Sequence, residues 1–473
     1  MAASAGRDFA IIGAGVAGVS CAAALSRGLA DGDAEVETRV HLIDQGSRGI
    51  GGRASSSRPT AHDEPIAFDH GCQFFTARTE AFKREVSRLE RLGHVRRWDG
   101  RFGTVDALTG AFERKPDPGA RDDDGGDGGD DGDATHPAPA PTEGDFFGLL
   151  ASEAVYVGVP TMRGLCDGLR LASSDAVVDR AFVAVTSLET VPIPPTDPTD
   201  PTDPPSRRDP VGPAPRLGTS PRWIARGVDH RALDRGEAGS DERALGEYAG
   251  VVVTDVMLAK RGTPGSCRLV GAAEGSEAIR AWTAMAESKA ESLFTVFAAF
   301  DVGESNPAAA DFSAVPFDAA VVSNSPVVQL LVRDDAKPGR GRGRAKWVGV
   351  STAAFAARVV AGAPLSRDGT YNPQTAEYLA AVTPEMCDEV RRILGLASAS
   401  RGGPAAVPEP AHVASQRWGH AFPAAPVVET RDGHAWAASE GFGACGDFVN
   451  GAGVEAAWLS GASAGAAIAK TYT

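Results

Sequence analysis

No apolar run in this 473-residue chain approaches the ~20 residues that a membrane-spanning helix needs. Paired cysteines are missing as well. Cys21, Cys72, Cys166, Cys267, Cys387 and Cys445 are scattered without a CxxC pair, which suits unpaired thiols in a reducing compartment better than a disulfide scaffold. Positive charge is in short supply, with 47 Lys and Arg against 62 Asp and Glu, so a basic face for nucleic acid is not expected. The net charge of −15 is largely local: residues 117–145 hold ten acids and one arginine, which leaves the remainder mildly acidic. The one basic run, "KPGRGRGRAKW" at 337–347, reads as a solvated loop. A strand-like segment already begins at Phe9, which leaves no room for a leader peptide, so the cytosol is the default location. A plastid or mitochondrial address would require a start further upstream.

Two low-complexity stretches interrupt the chain. One is the Asp/Gly tract at 117–145; the other, 191–215, carries a triple Thr-Asp-Pro repeat. Neither has the apolar content to bury a core, and both read as disordered surface insertions. Elsewhere strands and helices alternate. "DFAIIGAG" (8–15) is an apolar strand running into glycines, and residues 16–30 form a helix of small residues suited to close packing on a sheet. "RVHLID" (39–44) is a strand ending in an acid. Residues 175–189 and 246–256 hold β-branched runs, while 292–301 and 345–352 read as strands of a different sheet. A strand–turn–helix unit returns at the C-terminus, which implies one domain assembled from distant segments.

Gly13, Gly15 and Gly18 form G-x-G-x-x-G between that first strand and helix. The first glycine permits the tight turn, the second lets a pyrophosphate approach the backbone, and the third lets helix and strand close together. The helix N-terminus adds free N–H groups for the phosphates. A ribose-binding acid is expected ~20 residues further on. Glu35 and Glu37 fit the count but precede the strand; Asp44 stands at its end and is assigned the role, with 30–36 as a lengthened loop. In "RGIGGRAS" (48–55), Gly51 and Gly52 allow a second backbone segment beside the dinucleotide, and Arg53 can neutralise a phosphate. In "ACGDFVNGAGVEAAW" (444–458), Asp447 can accept a hydroxyl from a ribitol chain. The glycines before Val454 bring a helix N-terminus to the far end of the cofactor. A dinucleotide held from both chain ends is long, and FAD fits. Between these motifs lies "FDHGCQFF" (68–75), which reads as a fragment of a metal site, a thiol with its base, or a tight turn against something flat.

Taken in order, "IIGAGVAG", "LIDQGSRGIGGR", "FDHGCQFFT", "YVGVPTM", "RWGHAFP" and "CGDFVNGAGVEAAWLSG" resemble the renalase-like branch of the FAD-dependent amine oxidase superfamily, plant and bacterial type. The resemblance runs from the first strand to the last helix, the two insertions excepted. It implies an α/β fold: a Rossmann-like FAD-binding domain (1–75, 150–190, 216–262 and 412–473) and an α+β substrate domain with an antiparallel sheet (76–116 and 263–411). It implies non-covalent FAD, with Gly13, Ala14, Gly15, Ala17 and Gly18 at the pyrophosphate and Asp44 at the adenosine ribose. Gly51, Gly52 and Arg53 would stand at the phosphates, with Gly446, Asp447 and Val454 at the ribitol and flavin ring. The strand at Val183 would meet adenine through its backbone. The stretch 68–75 then reads as a Gly71-centred turn beside the flavin. Gln73, Phe75, Trp418 and His420 are candidates for the substrate pocket; no residue is assigned to catalysis and no metal is expected. Cys72 and Thr161 depart from the smaller residues usual in relatives, which puts the pocket beside the ring in doubt.

The implied activity is hydride transfer from a small reduced substrate, such as a misreduced isomer of NAD(P)H, with oxygen as the acceptor. Amine oxidation and carotenoid-type desaturation are alternatives of the same class. Two readings from other classes are a flavin-free nicotinamide dehydrogenase and a non-catalytic binder, since chaperones of prenylated GTPases share the fold.

Overall fold

The strand expected at 8–15 forms over Phe9–Ile12 with all four side chains buried, and it lies at the centre of a six-stranded sheet. The computed structural model describes residues 7–30, 38–46, 49–57, 67–115, 144–191, 222–230, 241–263, 265–302, 310–341, 343–363, 374–427, 430 and 432–473. Glu35, Glu37 and most of both low-complexity stretches lie outside the described residues.

Across the central sheet the order is Ala435–Ala437, Phe442–Ala444, Gly250–Val253, Phe9–Ile12, Val40–Asp44, Val177–Ala181. Every pairing is parallel except that of Ala435–Ala437 with Phe442–Ala444. Parallel strands are covered on both faces, which explains the near-continuous apolar runs in "FAII" and "GVVV". One cover is a helix pair. Val16–Ala30 lies along Val454–Tyr472 so closely that a Cβ on Gly461 would fall 2.1 Å from the Ala17 carbonyl oxygen, and one on Gly465 2.4 Å from that of Cys21. The small residues of 16–30 thus serve contact with another helix as well as with the sheet.

A second sheet has the order Arg243–Tyr248, Arg222–Asp229, Val183–Val191, Arg268–Val270. The 175–189 run therefore serves two sheets, changing over at Phe182, whose φ is 68°. The third sheet has seven strands: His412–Pro423, Ala290–Asp301, Arg344–Ser351, Val328–Arg333, Ala319–Ser323, Phe102–Asp106 and Phe112–Arg114. It is antiparallel apart from the pairing of Ala319–Ser323 with Phe102–Asp106. The strands expected at 292–301 and 345–352 are its neighbours. His412–Pro423, expected with the dinucleotide segments, pairs in this third sheet, antiparallel to Ala290–Asp301. Conversely Arg268–Val270, grouped with the substrate segments, pairs with Val183–Val191.

The solvated-loop reading of 337–347 is also corrected. Lys337 and Lys346 are buried, and the Arg340 side chain is 2% exposed. Their partners are the buried carboxylates of Asp69 and Asp334. Arg344 alone follows the expectation, pairing with Asp301 at the surface, and Arg342 lies outside the described residues. Among the described residues no helix is long and apolar enough to cross a membrane.

Candidate functional site

The site grows from the carboxyl ends of two adjacent parallel strands, Phe9–Ile12 and Gly250–Val253, the edge at which ligands bind in open α/β sheets. After the first strand the chain turns at Gly13, whose φ of 108° few other residues tolerate. Thr254, just past the second strand, locks this turn by donating its hydroxyl to the Ile12 and Gly13 carbonyls (3.0 Å each). Gly18 is the closest approach: a Cβ there would sit 1.8 Å from the Gly13 carbonyl oxygen. Gly15 is the reverse case, since a Cβ there would meet nothing within 4 Å and would project into open ground at the helix start. Gly51 donates its N–H to the Ala14 carbonyl (2.8 Å), bringing the Gly51–Gly52 segment alongside the turn.

Asp44 closes one side. Its carboxylate accepts the Ala14 N–H (2.7 Å) and the Gly46 N–H (2.6 Å), while burial raises its pKa above the usual carboxylate value. Asp255 closes the other, capping a short 3₁₀ turn by accepting the Met257 N–H (2.9 Å); burial raises its pKa too. Sequence reasoning missed Thr254 and Asp255. The available signal was a second strand–turn unit, "VVVTDV", ending in the same Asp-capped manner at the same sheet edge.

Arg53 and Asp447, which the sequence places at different points on a cofactor, are brought together. Two N–H···O bonds of 2.6 and 2.7 Å join them, and Arg53 also donates to the Ala421 carbonyl (3.0 Å). Asp447 begins a short helix after Gly446, and the long helix Val454–Tyr472 starts just beyond, behind Gly453 (φ 113°). Its first residues face the same cavity. Glu455 is buried there and engaged: it accepts the Arg78 and Thr79 N–H groups and the Thr79 hydroxyl.

In 68–75, the acid, the histidine and the thiol have separate partners. Asp69 faces Lys337 and Arg340, and these cations hold its carboxyl down at about 2 against the opposing effect of burial. The His70 carbonyl accepts from the Thr295 hydroxyl (2.7 Å) and the Trp418 indole N–H (2.9 Å). Cys72 donates to the Phe74 carbonyl (3.1 Å), and burial with Asp69 nearby pushes its thiol up to about 12. No thiolate is favoured there, and among the described residues no cluster of three or more His, Cys, Asp or Glu is set to hold a metal. Gly71 is the pivot, because a Cβ would fall 2.3 Å from the Arg53 carbonyl oxygen and 2.9 Å from the Trp418 ring.

All these walls enclose one cavity of about 460 Å³. At one end are Gly13, Gly15, Ala17, Asp44, Gly51, Gly52, Arg53 and Asp255; along its length run Gly71–Phe75, Gly446, Asp447 and Val454. The other end is apolar and aromatic, with Phe146, Phe147, Phe422, Leu293 and Val350. The pocket candidates Gln73, Phe75, Trp418 and His420 all line it. Phe75 stacks on Tyr156 at 5.8 Å, and Phe147, held at φ 49°, meets Phe422 edge-on at 5.4 Å. The His420 imidazole is pushed down to about 4, by burial first and by Arg53 second, and its Nε2 has no hydrogen-bond partner among the described residues. It is neutral at pH 7. Val183 and Thr161 do not line the cavity; Val183 pairs with Asp229 in the second sheet.

Cys72 contributes volume at this wall rather than a nucleophile. If the cavity holds the FAD expected from the sequence, Cys72→Ala should keep its retention and stopped-flow reduction within a few-fold of the parent, since trimming one sulfur acts through packing. A rate lower by more than ~100-fold would assign the thiol a chemical part.

Residues 11–89 match the family described as an NAD(P)-binding Rossmann-like domain. Among solved structures, the chain is similar to cyclohexylamine oxidase from Brevibacterium oxydans, at 13% identity and a TM-score of 0.53 over 98% of this chain and 99% of that one. It is also similar to an oxidoreductase from Methanosarcina mazei, at 11% identity and a TM-score of 0.52 over 96% and 99% respectively. At these identities the likeness concerns architecture: the chain has a mixed α/β fold like that of cyclohexylamine oxidase, built on a Rossmann-like dinucleotide-binding domain.

Proposed function

We propose that the protein is an FAD-dependent oxidoreductase of renalase-like type, taking hydride from a small reduced substrate of the dihydronicotinamide class and passing electrons to oxygen. The observation that supports this reading is the single cavity running from the glycine turn to an aromatic chamber. The residues fit such a cofactor: Gly15 leaves open ground at a helix N-terminus, where a pyrophosphate is accommodated by free N–H groups. FAD, when bound, supplies the ring that accepts hydride.

The chain's own residues do the rest. Gly15, Gly51 and Gly52 would hold the pyrophosphate, Asp44 and Asp255 the ribose hydroxyls, and Asp447, fixed by Arg53, the ribityl hydroxyls. The N-terminus of Val454–Tyr472 opens on the cavity and would offer its positive dipole end to negative charge held there. Phe147, Phe422 and Trp418 orient a flat substrate and exclude water. A dihydropyridine leaves as an aromatic cation once hydride departs, so it needs no base. The wall meets that requirement: His420 is a weak base, and Glu455 and Asp447 are engaged in hydrogen bonds. An ammonium substrate would have to lose a proton first. The likeness to cyclohexylamine oxidase nevertheless keeps amine oxidation as the second reading.

The purified protein is expected to be yellow, with flavin absorbance that denaturation releases. Anaerobic addition of dihydronicotinamide isomers should bleach it, and air should restore it. A colourless protein that takes up no added FAD overturns the cofactor assignment. Bleaching by primary amines alone replaces the substrate assignment with the second reading.

A further inference from the structure

Behind the cavity wall lies a cluster of charges that the reaction outlined above does not use. Lys337 Nζ is 3.0 Å from Asp69 Oδ2 and 3.0 Å from Asp334 Oδ1. Arg340 pairs with Asp69, and Lys346 Nζ is 3.2 Å from Asp334 Oδ2. All five side chains are at most 10% exposed. Three basic groups thus face two carboxylates, one formal positive charge in excess. The adjacent Arg333–Asp335 pair is balanced and does not offset it. Burying charge is costly, and an uncompensated one most of all. The cluster meets the cavity lining at Gln73: Lys337 Nζ donates to Gln73 Oε1 at 3.2 Å, while the Gln73 amide N–H groups are spent on the Asp69 and Gly71 carbonyls. Gln73 and Cys72 both line the cavity.

We infer that the Asp69–Asp334–Lys337–Arg340–Lys346 cluster is an electrostatic positioning device, holding Gln73 in the Gly71–Phe75 turn and setting the electrostatic potential along that stretch of cavity wall. Lys337 is its positioning residue. The low-dielectric surroundings carry the charge to the wall with little screening. At Cys72, in the cavity lining, two members of the cluster act in opposite directions, Asp69 raising the thiol more than Lys337 lowers it.

Two substitutions of opposite sign test this. Lys337→Met removes a positive charge and Asp334→Asn removes a negative one, each at nearly constant shape. The first readout needs no cofactor: the rate of Cys72 alkylation by iodoacetamide, followed by peptide mass spectrometry. It should fall about ten-fold in Lys337→Met and rise by a similar factor in Asp334→Asn, a tenth or ten times the thiolate, equivalent to one pKa unit. Lys337→Arg should restore the parent rate. The second readout rests on the proposed function: the midpoint potential of bound FAD should fall in the first variant and rise in the second, by about 30 mV for a ten-fold change in a two-electron equilibrium. Loosened packing would speed alkylation in both variants. That result, or no change in either, overturns the proposal. If one variant fails to fold, the direction of change in the other decides. Opposite alkylation shifts in a protein that binds no FAD would uphold the electrostatic role while refuting the cofactor reading.

Discussion

Gly18→Ala is expected to damage the fold, whereas Gly15→Val, only three positions away, should spare the fold and lose the cofactor. In the first case the new Cβ would lie 1.8 Å from the Gly13 carbonyl oxygen and 3.0 Å from its carbon, both backbone atoms that Thr254 holds in place. Helix and strand would have to separate, at a cost of about 3 kcal/mol, the upper end for an overpacked core site. At Gly15 a Cβ would meet no protein atom within 4 Å; the new side chain starts into the ground proposed for the pyrophosphate. Thermal unfolding and flavin absorbance on the same preparations check the pair. Equal melting temperatures with FAD retained by both would show that the glycine turn neither packs nor binds as described.

The Arg53–Asp447 pair should give the next largest effect. Arg53→Met leaves the Asp447 carboxylate, 6% exposed, without its paired cation and with the Asp255 carboxyl nearby. The Arg53 side chain keeps 39% of its surface open and lines the cavity, so the loss is set at the low end for a broken buried pair, about 3 kcal/mol. Adding Asp447→Asn should recover most of that stability, because neither charge is then stranded, but should not recover retention of FAD. Denaturant titration of the two single variants and the double variant measures the coupling; additive losses would show that the pair acts as two independent residues.

What could be read from the sequence was what depends on near neighbours. Gly13, Gly15, Asp44, Gly51 and Arg53 are spaced by the turn and strand that carry them, and all of them line the one cavity, while Gly18 packs behind the turn. Asp255 and Phe147 escaped notice because their place depends on which strands pair and which loop returns. The basic run at 337–347 shows the limit most plainly. Its local composition is that of a solvated loop, yet Lys337 is buried because Asp69, 268 positions earlier, lies opposite. The nearer cue, Asp334 three positions before Lys337, has the spacing of an ordinary surface pair, and its burial follows only from the seven-stranded sheet. His412–Pro423 is similar: as a strand it is plain, but its partner at 290–301 is set by the register of a sheet assembled from distant segments.

The first helix of the chain rests against the last, and Arg7 reaches the Tyr472 carbonyl across 465 positions. During synthesis this means that the N-terminal strand–turn–helix leaves the ribosome on the order of a minute before the segment that covers it, at ordinary elongation rates. Throughout that interval the Ala17 and Cys21 stretch, shaped for the backbone at Gly461 and Gly465, faces solvent or a chaperone. Asp447 and the start of Val454–Tyr472 are also still to come, so the dinucleotide cradle has only one of its two ends. On the proposed function, the cradle therefore gains its second end only once Asp447 and the Val454–Tyr472 helix have been made.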